Sequence, residues 1–328
     1  MNAVILAGGF GSRLKPLTDT VPKPMLSVLN TPMIDYCIAH LRSFGIADVV
    51  LTLGYYPEQI IDWVDGYEGL KAHYVIEDVP LGTAGGVREA RDLLDEYFIV
   101  ISGDALENID FNKMLLSHVR SGKLVTMAVS HVEDARQFGL VKFDRDGIAT
   151  EFTEKPSELT EGIVNCGVYI LSRSAMMHVP HGVKYDFSRD LFPELLSRRE
   201  INVYLHEGYW SDIGSVGAYY KANFDMLSGQ FFPKVYNRYR VPSHKTAAEN
   251  PSVLAFSALV AGRCSGSIVG HDSAVSSNAS ITDCIVLPSV RVDGVHYGEI
   301  IGEGFSMPVV GNKNPNQQIS TQIYKNFS

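Results

Sequence analysis

The sequence predicts an α/β fold built on a mixed, mostly parallel β-sheet with helices on both faces. Short apolar runs typical of buried strands alternate with amphipathic, helix-length segments through the first part of the chain, and this alternation indicates a parallel sheet covered by helices. Further along, aliphatic residues recur at intervals of six, which indicates a short parallel β-helix. We therefore expect a Rossmann-like domain followed by a C-terminal left-handed parallel β-helix.

The first strands and helices can be placed in order from the apolar pattern. A strand over residues 3–7 leads directly into a glycine-rich loop. The elements that follow are predicted to be a helix over 33–44, a strand over 49–53, a helix over 58–64, a strand over 73–77, a helix over 86–97 and a strand over 98–101. Ligands of parallel sheets bind beyond the carboxyl ends of the strands. The glycine loop and Asp104, which follows the last of these strands, should therefore face one crevice.

The middle of the chain is richer in strands. Strands are predicted over 124–129, 139–143, 164–171 and 203–205, with a hairpin turn at Asp146-Gly147 and helices over 186–199 and 219–227. We expect this region to extend the sheet and to form the wall of a second substrate site.

The predicted organisation has one large N-terminal domain over residues 1–229. Residues 230–250 are polar and contain Pro233 and Pro242, and we interpret them as a linker. The β-helix is predicted over 251–305 and a polar tail over 306–328. The repeat that supports the β-helix pairs an aliphatic residue with a small or turn-forming one: Val269-Gly270, Val275-Ser276, Ile281-Thr282 and Leu287-Pro288.

Composition narrows the functional classes. The chain of 328 residues is 45% hydrophobic and 20% charged, as is typical of soluble globular proteins, and its net charge of −9 disfavours a nucleic-acid binder. The sequence has no apolar run of membrane-spanning length and no signal-peptide pattern at its start. The four cysteines lack zinc-site spacing, which indicates free thiols. We expect a cytoplasmic protein with neither nucleic acid nor membrane as a partner.

The glycine loop is predicted to bind a polyphosphate. Gly8, Gly9 and Gly11 can turn backbone N–H groups inward around an anion because they carry no Cβ atom. Arg13 adds a planar fork of donors, and Lys23 adds a point charge.

Two other known types of glycine-rich phosphate-binding motif fit this sequence less well. A dinucleotide-binding fingerprint needs Gly or Ala where this chain has Leu14, and an acidic residue after the second strand, which here ends in Leu53-Gly54-Tyr55. A P-loop needs Lys-Ser or Lys-Thr after its glycines, and this chain has neither there. The remaining pattern is G-G-F-G-S-R-L followed by Pro22-Lys23-Pro24.

That combined pattern resembles the signature of the sugar-1-phosphate nucleotidyltransferases, also called nucleotide-sugar pyrophosphorylases. Within the family it is most similar to the mannose-1-phosphate guanylyltransferases. The resemblance covers roughly residues 1–230 and continues through the β-helix, with Ser12 where the family more often has Thr. It implies that residues 1–229 are the catalytic domain.

The resemblance also implies the nucleotide site. The segment 77–86 (Glu77 to Gly86) resembles the family's base-binding loop, in which small residues let a flat base lie against the backbone. The implied nucleotide-binding residues are Leu6, Ala7, Gly8, Gly9, Gly11, Ser12, Arg13, Lys23, Gly82, Thr83, Ala84 and Gly85.

Further motifs imply which residues bind the metal ion and which bind the sugar phosphate. Asp104 and Asp212 match the family's metal-binding positions, and Mg²⁺ takes one or two carboxylates together with phosphate oxygens and water. Glu154-Lys155-Pro156 resembles the family's E-K-P, in which the lysine holds the sugar 1-phosphate. The implied sugar-phosphate-binding residues are Gly139, Glu154, Lys155, Asn165 and Gly167.

The implied reaction is transfer of a nucleotidyl group from an NTP to a sugar 1-phosphate, with GTP and α-D-mannose 1-phosphate favoured, giving GDP-mannose. Glucose 1-phosphate, or another hexose or heptose phosphate, with a different NTP is the alternative within the family. A non-catalytic regulatory subunit is the alternative of another class. The implied catalytic residues are Arg13, Lys23, Asp104, Lys155 and Asp212. We also expect a homo-oligomer, a dimer or tetramer, because a short β-helix leaves apolar surface at its ends.

Overall fold

Strand β1 (Asn2–Ala7) lies in the interior of the main sheet, and its residues from Ala3 onward are apolar on both faces. The computed structural model describes residues 1–231, 243–245 and 250–310. These residues form two units, and the division between them falls between Phe231 and Ser243.

The strands of the first unit, in chain order, are β1, β2 (Ser27–Val28), β3 (Thr31–Pro32), β4 (Asp48–Leu53), β5 (Lys71–Ile76), β6 (Tyr97–Ser102), β7 (Ala105–Glu107), β8 (Val125–Val132), β9 (Gly139–Phe143), β10 (Ala149–Glu154), β11 (Gly162–Ser172), β12 (Ile201–Leu205) and β13 (Trp210–Asp212). The helices are α1 (Met33–Ser43), α2 (Pro57–Val64), α3 (Gly82–Glu89), α4 (Phe111–Ser121), α5 (Phe192–Ser197) and α6 (Val216–Ser228).

The main sheet is mixed, as predicted. Its parallel part runs in the order β6-β1-β4-β5. On the other side of β6, β11 is antiparallel and pairs with both β8 and β9, so the middle of the chain extends the sheet. The turn at Asp146-Gly147 joins the antiparallel pair β9 and β10, which confirms the predicted hairpin.

Helices cover both faces of this sheet. Ala3 and Ile5 of β1 belong to a core that includes Ile38 of α1, Ile60 of α2 and Phe111 of α4. The alternate residue of β1, Val4, belongs to a second core with Ala84 and Val87 of α3 and Phe192 of α5. Since successive side chains of a strand point to opposite faces, the sheet separates two apolar layers.

One predicted helix is wrong in its bounds. The pattern predicts a helix over 86–97, whereas α3 spans Gly82–Glu89 and is followed by a short 3-10 turn over Arg91–Leu93. The start was missed because the first turn of α3 is rich in glycine, which disfavours helices in isolation. Tertiary contacts stabilise this turn, and they are described below.

The second unit is a parallel β-helix, which confirms that prediction. Its strands are β14 (Ser243–Lys245), β15 (Val253–Ala255), β16 (Leu259–Val260), β17 (Arg263–Ser265), β18 (Ile268–Val269), β19 (Ala274–Val275), β20 (Ser280–Thr282), β21 (Ile285–Val286), β22 (Arg291–Val292), β23 (Val295–Tyr297), β24 (Glu299–Gly302) and β25 (Phe305–Pro308). Three parallel faces run through β15-β18-β21-β24, β16-β19-β22 and β17-β20-β23.

The six-residue repeat holds for one coil and then changes. Val269, Val275 and Ile281 lie on the three successive faces, and all are buried. The residue stacked on Val269 is Val286, and not the predicted Leu287, which follows the strand and is only partly buried. Val286 lies five positions after Ile281, and not six, so this side of the coil is one residue shorter than the repeat predicts.

Two predicted segments lie mostly outside the described residues. Of the predicted linker, residues 230–250, the structure describes residues 230–231, 243–245 and 250, and β14 pairs with β15. Of the predicted tail, residues 306–328, it describes 306–310. Among the described residues, every helix is too short or too polar to cross a membrane.

A buried asparagine in α6 generates the first testable prediction. Asn223 is fully buried, its Oδ1 accepts a hydrogen bond from the backbone N–H of Leu29 (2.9 Å), and its Nδ2 donates to the Tyr219 carbonyl (3.0 Å). Asn223→Ala leaves that N–H without its partner, so we expect a loss of about 1–3 kcal/mol in the free energy of unfolding. Urea unfolding followed by circular dichroism measures it.

Asn112→Ala is the matched control because Asn112 is exposed on α4. We expect that variant to change the free energy of unfolding by less than about 0.5 kcal/mol. Equal losses in the two variants would contradict the role given to Asn223.

Candidate active site

The glycine loop begins where β1 ends. Leu6 lies beside Ser102 of β6, and the N–H of Gly103 donates to the Leu6 carbonyl (2.9 Å). Asp104 follows immediately, so the loop and this carboxylate meet at one edge of the sheet. The predicted crevice at the carboxyl ends of β1 and β6 is confirmed.

Close backbone approach explains two of the glycines in this region. Gly11 adopts a left-handed conformation (φ 60°), and a Cβ atom there would lie 3.0 Å from Thr18 Cγ2. A Cβ atom on Gly54, at the end of β4, would lie 2.8 Å from the Gly8 carbonyl oxygen. In the sequence, Gly54 stands where a dinucleotide-binding fold needs an acidic residue, and no motif predicts that it packs against the loop.

Lys23 lies in the middle of the site. A short 3-10 turn over Lys23–Met25, preceded by Pro22, places the side chain inward, and Lys23 is only 8% exposed. Its Nζ contacts the Asp104 carboxylate and lies 3.8 Å from Oδ1 of Asp212. A charge this deeply buried needs compensation, and these two carboxylates provide it.

A two-stranded ribbon brings the two carboxylates together. Strands β7 and β13 are antiparallel, with Asp212 opposite Ala105, the residue after Asp104. The N–H of Ile213 also lies 3.4 Å from the Asp104 carbonyl oxygen. Residues more than a hundred positions apart are therefore held side by side by backbone pairing.

The pKa values of the two carboxylates are shifted in opposite directions. Burial alone would raise the pKa of Asp104, but the Lys23 ammonium and hydrogen bonds from Lys23 and Ser102 bring it below its usual value. Burial raises the pKa of Asp212, and the neighbouring Asp104 charge raises it further, against the opposing effect of Lys23, Arg13 and Lys155. At Asp212, burial and the Asp104 charge thus outweigh the effect of the three nearby cations.

The donor set fits a hard divalent cation. Asp104 and Asp212 converge on one point, and both are partly accessible, with side chains 20% and 28% exposed. Within the described residues there is no cluster of three or more His, Cys, Asp or Glu side chains that could hold a metal alone. Two carboxylates with remaining positions for phosphate oxygens and water are the arrangement that Mg²⁺ prefers.

Arg13 flanks the carboxylates on the side of the glycine loop. It follows Ser12 in a 3-10 turn, is exposed, and its Nη1 lies 3.5 Å from Oε1 of Gln137. A Cβ atom on Gly214 would lie 3.4 Å from the guanidinium and 2.6 Å from Oδ2 of Asp212. Gly214 therefore leaves the space in which Arg13 approaches Asp212.

Lys155 is held by a strained backbone at the end of β10. It has φ 49°, and its N–H donates to the Phe138 carbonyl (2.9 Å). Its Nζ lies 4.0 Å from Oε1 of Glu154, and its charge acts on Asp212. A Cβ atom on Gly139, which pairs with Glu154, would overlap the Phe152 ring. Strain of this kind is typical of functional positions.

Asn165 and Gly167 lie in a bulge of β11. Oδ1 of Asn165 accepts from the Gly167 N–H (2.8 Å), and its Nδ2 donates to the Tyr169 hydroxyl (2.7 Å). Trp210 Nε1 donates to the Cys166 carbonyl (2.9 Å), and the Trp210 ring packs edge-on against Phe138. These contacts join the bulge to the strand that carries Asp212. Cys166 itself is buried.

Gly82 to Gly85 form the first turn of α3 and not a loop, which corrects the sequence interpretation. The N–H groups of Ala84 and Gly85 both donate to the Tyr185 carbonyl (3.0 and 2.9 Å), and that of Thr83 donates to Asp186 Oδ1 (3.1 Å). The segment before α5 therefore accepts hydrogen bonds from three backbone N–H groups of this turn.

Both glycines of this turn are required by that contact. A Cβ atom on Gly82, which has φ 74°, would lie 2.7 Å from the Tyr185 carbonyl oxygen, and one on Gly85 would lie 2.9 Å from the Val183 carbonyl oxygen. Sequence reasoning missed Tyr185 and Asp186, although the acidic Asp186 before a helical pattern is typical of a capping residue.

A buried acid lies beneath the carboxylate pair. Glu107 of β7 is 5% exposed, accepts a hydrogen bond from the Ile109 N–H (2.5 Å), and lies 3.4 Å from Nε2 of His40. Burial raises the pKa of Glu107 to about 8. No motif pointed to this residue, because its burial depends on the pairing of β7 with β13.

The α3 contact generates the second prediction. Gly85→Ala forces a Cβ atom against the Val183 carbonyl oxygen, so we expect a loss of about 1–3 kcal/mol in the free energy of unfolding despite the better helix propensity of Ala. Gly217→Ala, in a helix with no neighbour within 4 Å of the added atom, should instead gain about 0.5–1 kcal/mol. Chemical denaturation compares the two, and a stabilised Gly85→Ala would contradict the packing role.

The buried acid generates the third prediction. The folded protein keeps the Glu107 proton up to about pH 8, whereas the unfolded chain loses it near the usual pKa of 4.5. The unfolded state therefore binds fewer protons in this window, and the contribution of Glu107 to stability falls as pH rises. Glu107→Gln stays neutral throughout, so we expect its free energy of unfolding, relative to the parent protein, to increase from pH 5 to 8. A difference independent of pH would contradict this assignment.

Comparison with known proteins places the chain in a family. The nucleotidyl transferase family matches residues 2–229. The mannose-1-phosphate guanylyltransferase of Mycobacterium tuberculosis is 30% identical over 300 residues, which are 89% of this chain and 81% of the relative. The mannose-1-phosphate guanyltransferase of Candida albicans is 33% identical over 225 residues, which are 65% of this chain and 61% of the relative.

Solved structures agree with this placement. HddC from Yersinia pseudotuberculosis, complexed with GMP-PN, is 31% identical with a TM-score of 0.60, over 69% of this chain and 99% of that one. A glucose-1-phosphate thymidylyltransferase from Bacillus anthracis, described as putative in its name, is 23% identical with a TM-score of 0.65, over 72% of this chain and 99% of that one, and supports the fold alone. The family match over residues 2–229 and the relative at 30% identity show that this chain is an enzyme of the nucleotidyl transferase family.

Proposed function

We propose that the protein transfers a guanylyl group from GTP to α-D-mannose 1-phosphate, forming GDP-mannose and releasing pyrophosphate. The observation that carries the proposal is the convergence of buried Lys23 with Asp104 and Asp212 at the end of the glycine loop. Arg13 and Lys155 add positive charge around the same point. Three cations and two carboxylates suit a site that holds two anionic substrates and a metal ion.

The proposed chemistry is an in-line displacement at phosphorus. A phosphate oxygen of the sugar 1-phosphate attacks the α-phosphorus of GTP and forms the new P–O bond. The bond from the α-phosphorus to the bridging oxygen breaks, and pyrophosphate leaves with that electron pair. Because the attacking oxygen is already anionic, the reaction needs no general base, and positioning and charge neutralisation provide the catalysis.

Each cation has a distinct task in this proposal. Arg13 and the N–H groups of the glycine loop hold the triphosphate and stabilise the leaving pyrophosphate. Lys23 neutralises charge between the phosphates and the carboxylate pair. Lys155 holds the sugar 1-phosphate against repulsion from the triphosphate, and Glu154 accepts hydrogen bonds from sugar hydroxyls next to Gly139. The bulge that contains Asn165 and Gly167 shapes the same wall.

Nucleotidyl transferases of this family typically use a divalent metal ion, and we propose Mg²⁺. Asp104 and Asp212 would hold it, because both are carboxylates, both are partly accessible, and both lie next to the Lys23 ammonium. The ion would supply neutralisation of charge on the phosphates of the two substrates.

The relatives support the choice of substrates. Two of them carry the name of mannose-1-phosphate guanylyltransferase or guanyltransferase, and one solved neighbour contains the guanine nucleotide GMP-PN. We also propose that the protein is cytoplasmic and that it assembles as a dimer or tetramer through its β-helix unit.

A substrate panel tests the proposal. Four NTPs are each combined with mannose, glucose and heptose 1-phosphates, and pyrophosphate release is measured in the presence of Mg²⁺. We expect GTP with mannose 1-phosphate to give the highest kcat/KM. A higher value for another pair would overturn the substrate assignment, and nucleotide binding without pyrophosphate release from any pair would overturn the activity.

Arg13 generates the fourth prediction. Removing one preorganised charge contact in a phosphoryl-transfer site typically lowers the rate about 10²–10³-fold. We expect Arg13→Ala to lower kcat at least ~100-fold, measured by pyrophosphate release under saturating substrates. Arg120→Ala, at an exposed position of α4, is the control and should keep the parent rate. Near-parent turnover in Arg13→Ala would contradict the role of Arg13.

A further inference from the structure

Side chains at the start of α2 hold part of the phosphate-binding loop from outside. The Tyr55 hydroxyl lies 3.3 Å from the carbonyl oxygens of Thr18 and Asp19, the Tyr56 hydroxyl donates to the Asp19 carbonyl (3.2 Å), and Gln59 Nε2 donates to the Thr20 carbonyl (2.9 Å). We call Tyr55, Tyr56 and Gln59 the α2 clamp. Its donors engage three successive carbonyls of the chain.

The clamped segment connects the two cations of the loop. Residues 18–20 lie between Arg13 and Lys23 in the sequence. Thr18 also donates from Oγ1 to the Gly11 carbonyl (2.9 Å), and its Cγ2 fills the space next to the Gly11 Cα. A displacement of residues 18–20 would therefore move the glycine turn, and with it the position of Arg13.

Tyr55 contacts the other side of the loop as well. Its ring lies 5.6 Å from the ring of Phe10, which is 59% exposed between Gly9 and Gly11, and 4.3 Å from the ring of Tyr56. One side chain thus touches both the glycine turn and the segment that follows it.

The backbone at the clamp is strained. Tyr56 has φ 48°, an uncommon conformation for a bulky residue, and Pro57 begins α2 directly after it. This conformation presents both tyrosine rings to the same segment. Strained residues of this type concentrate at functional sites, where the surrounding structure maintains them.

A purely stabilising role does not account for the arrangement. Tyr56 and Gln59 are exposed, so water replaces their hydrogen bonds when they are removed, and little folding free energy is lost. What the clamp contributes instead is a fixed position for a loop whose glycines could adopt many conformations. A flexible phosphate loop must be ordered on binding, which weakens affinity.

We propose that Tyr55, Tyr56 and Gln59 are positioning residues that hold the phosphate loop in its nucleotide-binding geometry. The inference rests on the nucleotidyl transfer proposed above and assigns the clamp to one substrate, the triphosphate, and to its product pyrophosphate. The sugar 1-phosphate is held by another part of the sheet, around Lys155, and does not depend on the clamp.

The test uses Tyr55→Phe/Tyr56→Phe, which keeps both rings and removes both hydroxyls, and Gln59→Leu as a second variant. Loss of a neutral hydrogen bond weakens an interaction roughly two- to tenfold. We expect the KM for GTP, and the KM for pyrophosphate in the reverse reaction, to rise by about that factor in each variant. The KM for mannose 1-phosphate and the thermal midpoint should stay at the parent values.

Tyr74→Phe is the matched control. The Tyr74 hydroxyl makes one exposed hydrogen bond to Asp65 (2.6 Å) at the other end of α2, so this variant removes the same group without touching the loop. We expect it to leave all three KM values unchanged.

The outcomes separate the two proposals. Two results would overturn the clamp proposal when the parent protein turns over GTP. In the first, the clamp variants match the parent in every KM. In the second, they change the KM for GTP and the KM for mannose 1-phosphate equally. If the parent protein releases no pyrophosphate, the proposed function fails first. In that case GTP binding, measured by calorimetry on the same variants, tests the clamp, and equal affinities would overturn it.

Discussion

The structure of the site depends on one buried ion cluster, in which Lys23 lies against Asp104 and near Asp212. A buried lysine without a partner would be strongly unfavourable, and so would two adjacent carboxylates without a cation. The compensation requires three distant pieces of chain to meet within a few ångströms. Strand β6 delivers Asp104, the ribbon of β7 and β13 delivers Asp212, and the turn after Pro22 delivers Lys23. Because the lysine and the two carboxylates need one another, they fix the position of the site around which the remaining side chains lie.

Around the cluster, backbone packs directly on backbone. Gly54 lies against Gly8 at the start of the phosphate loop, and Gly82 and Gly85 lie against the segment before α5. Gly214 leaves room for Arg13 beside Asp212. Glycine at these places permits the close approach of two chain segments, and Gly11 and Gly82 combine it with a left-handed backbone. Close backbone contacts therefore fix the segments that surround the site, and the α2 clamp adds contacts to residues 18–20.

The sequence was sufficient for the elements with strong periodicity. The alternation of strands and helices predicted the parallel sheet, and the ends of β1 and β6 predicted that the glycine loop and Asp104 would meet. The start of α3 was not predictable, because its stability comes from Tyr185 and Asp186, about a hundred residues away. Glu107 has no motif, and its raised pKa results from burial that only the tertiary structure creates. In the β-helix, the prediction for Leu287 is wrong because the side of the coil that follows Ile281 is one residue shorter, which puts Val286 on Val269.

In the proposed reaction, the ion cluster and the glycine loop together transfer a nucleotidyl group to a sugar phosphate. The most direct measurement follows the fate of the α-phosphorus, with GTP labelled at that position, mannose 1-phosphate and Mg²⁺, and chromatographic separation of the products. We expect the label in GDP-mannose, and the released pyrophosphate should be unlabelled. Label recovered in free GMP, or retained entirely in GTP, would contradict it.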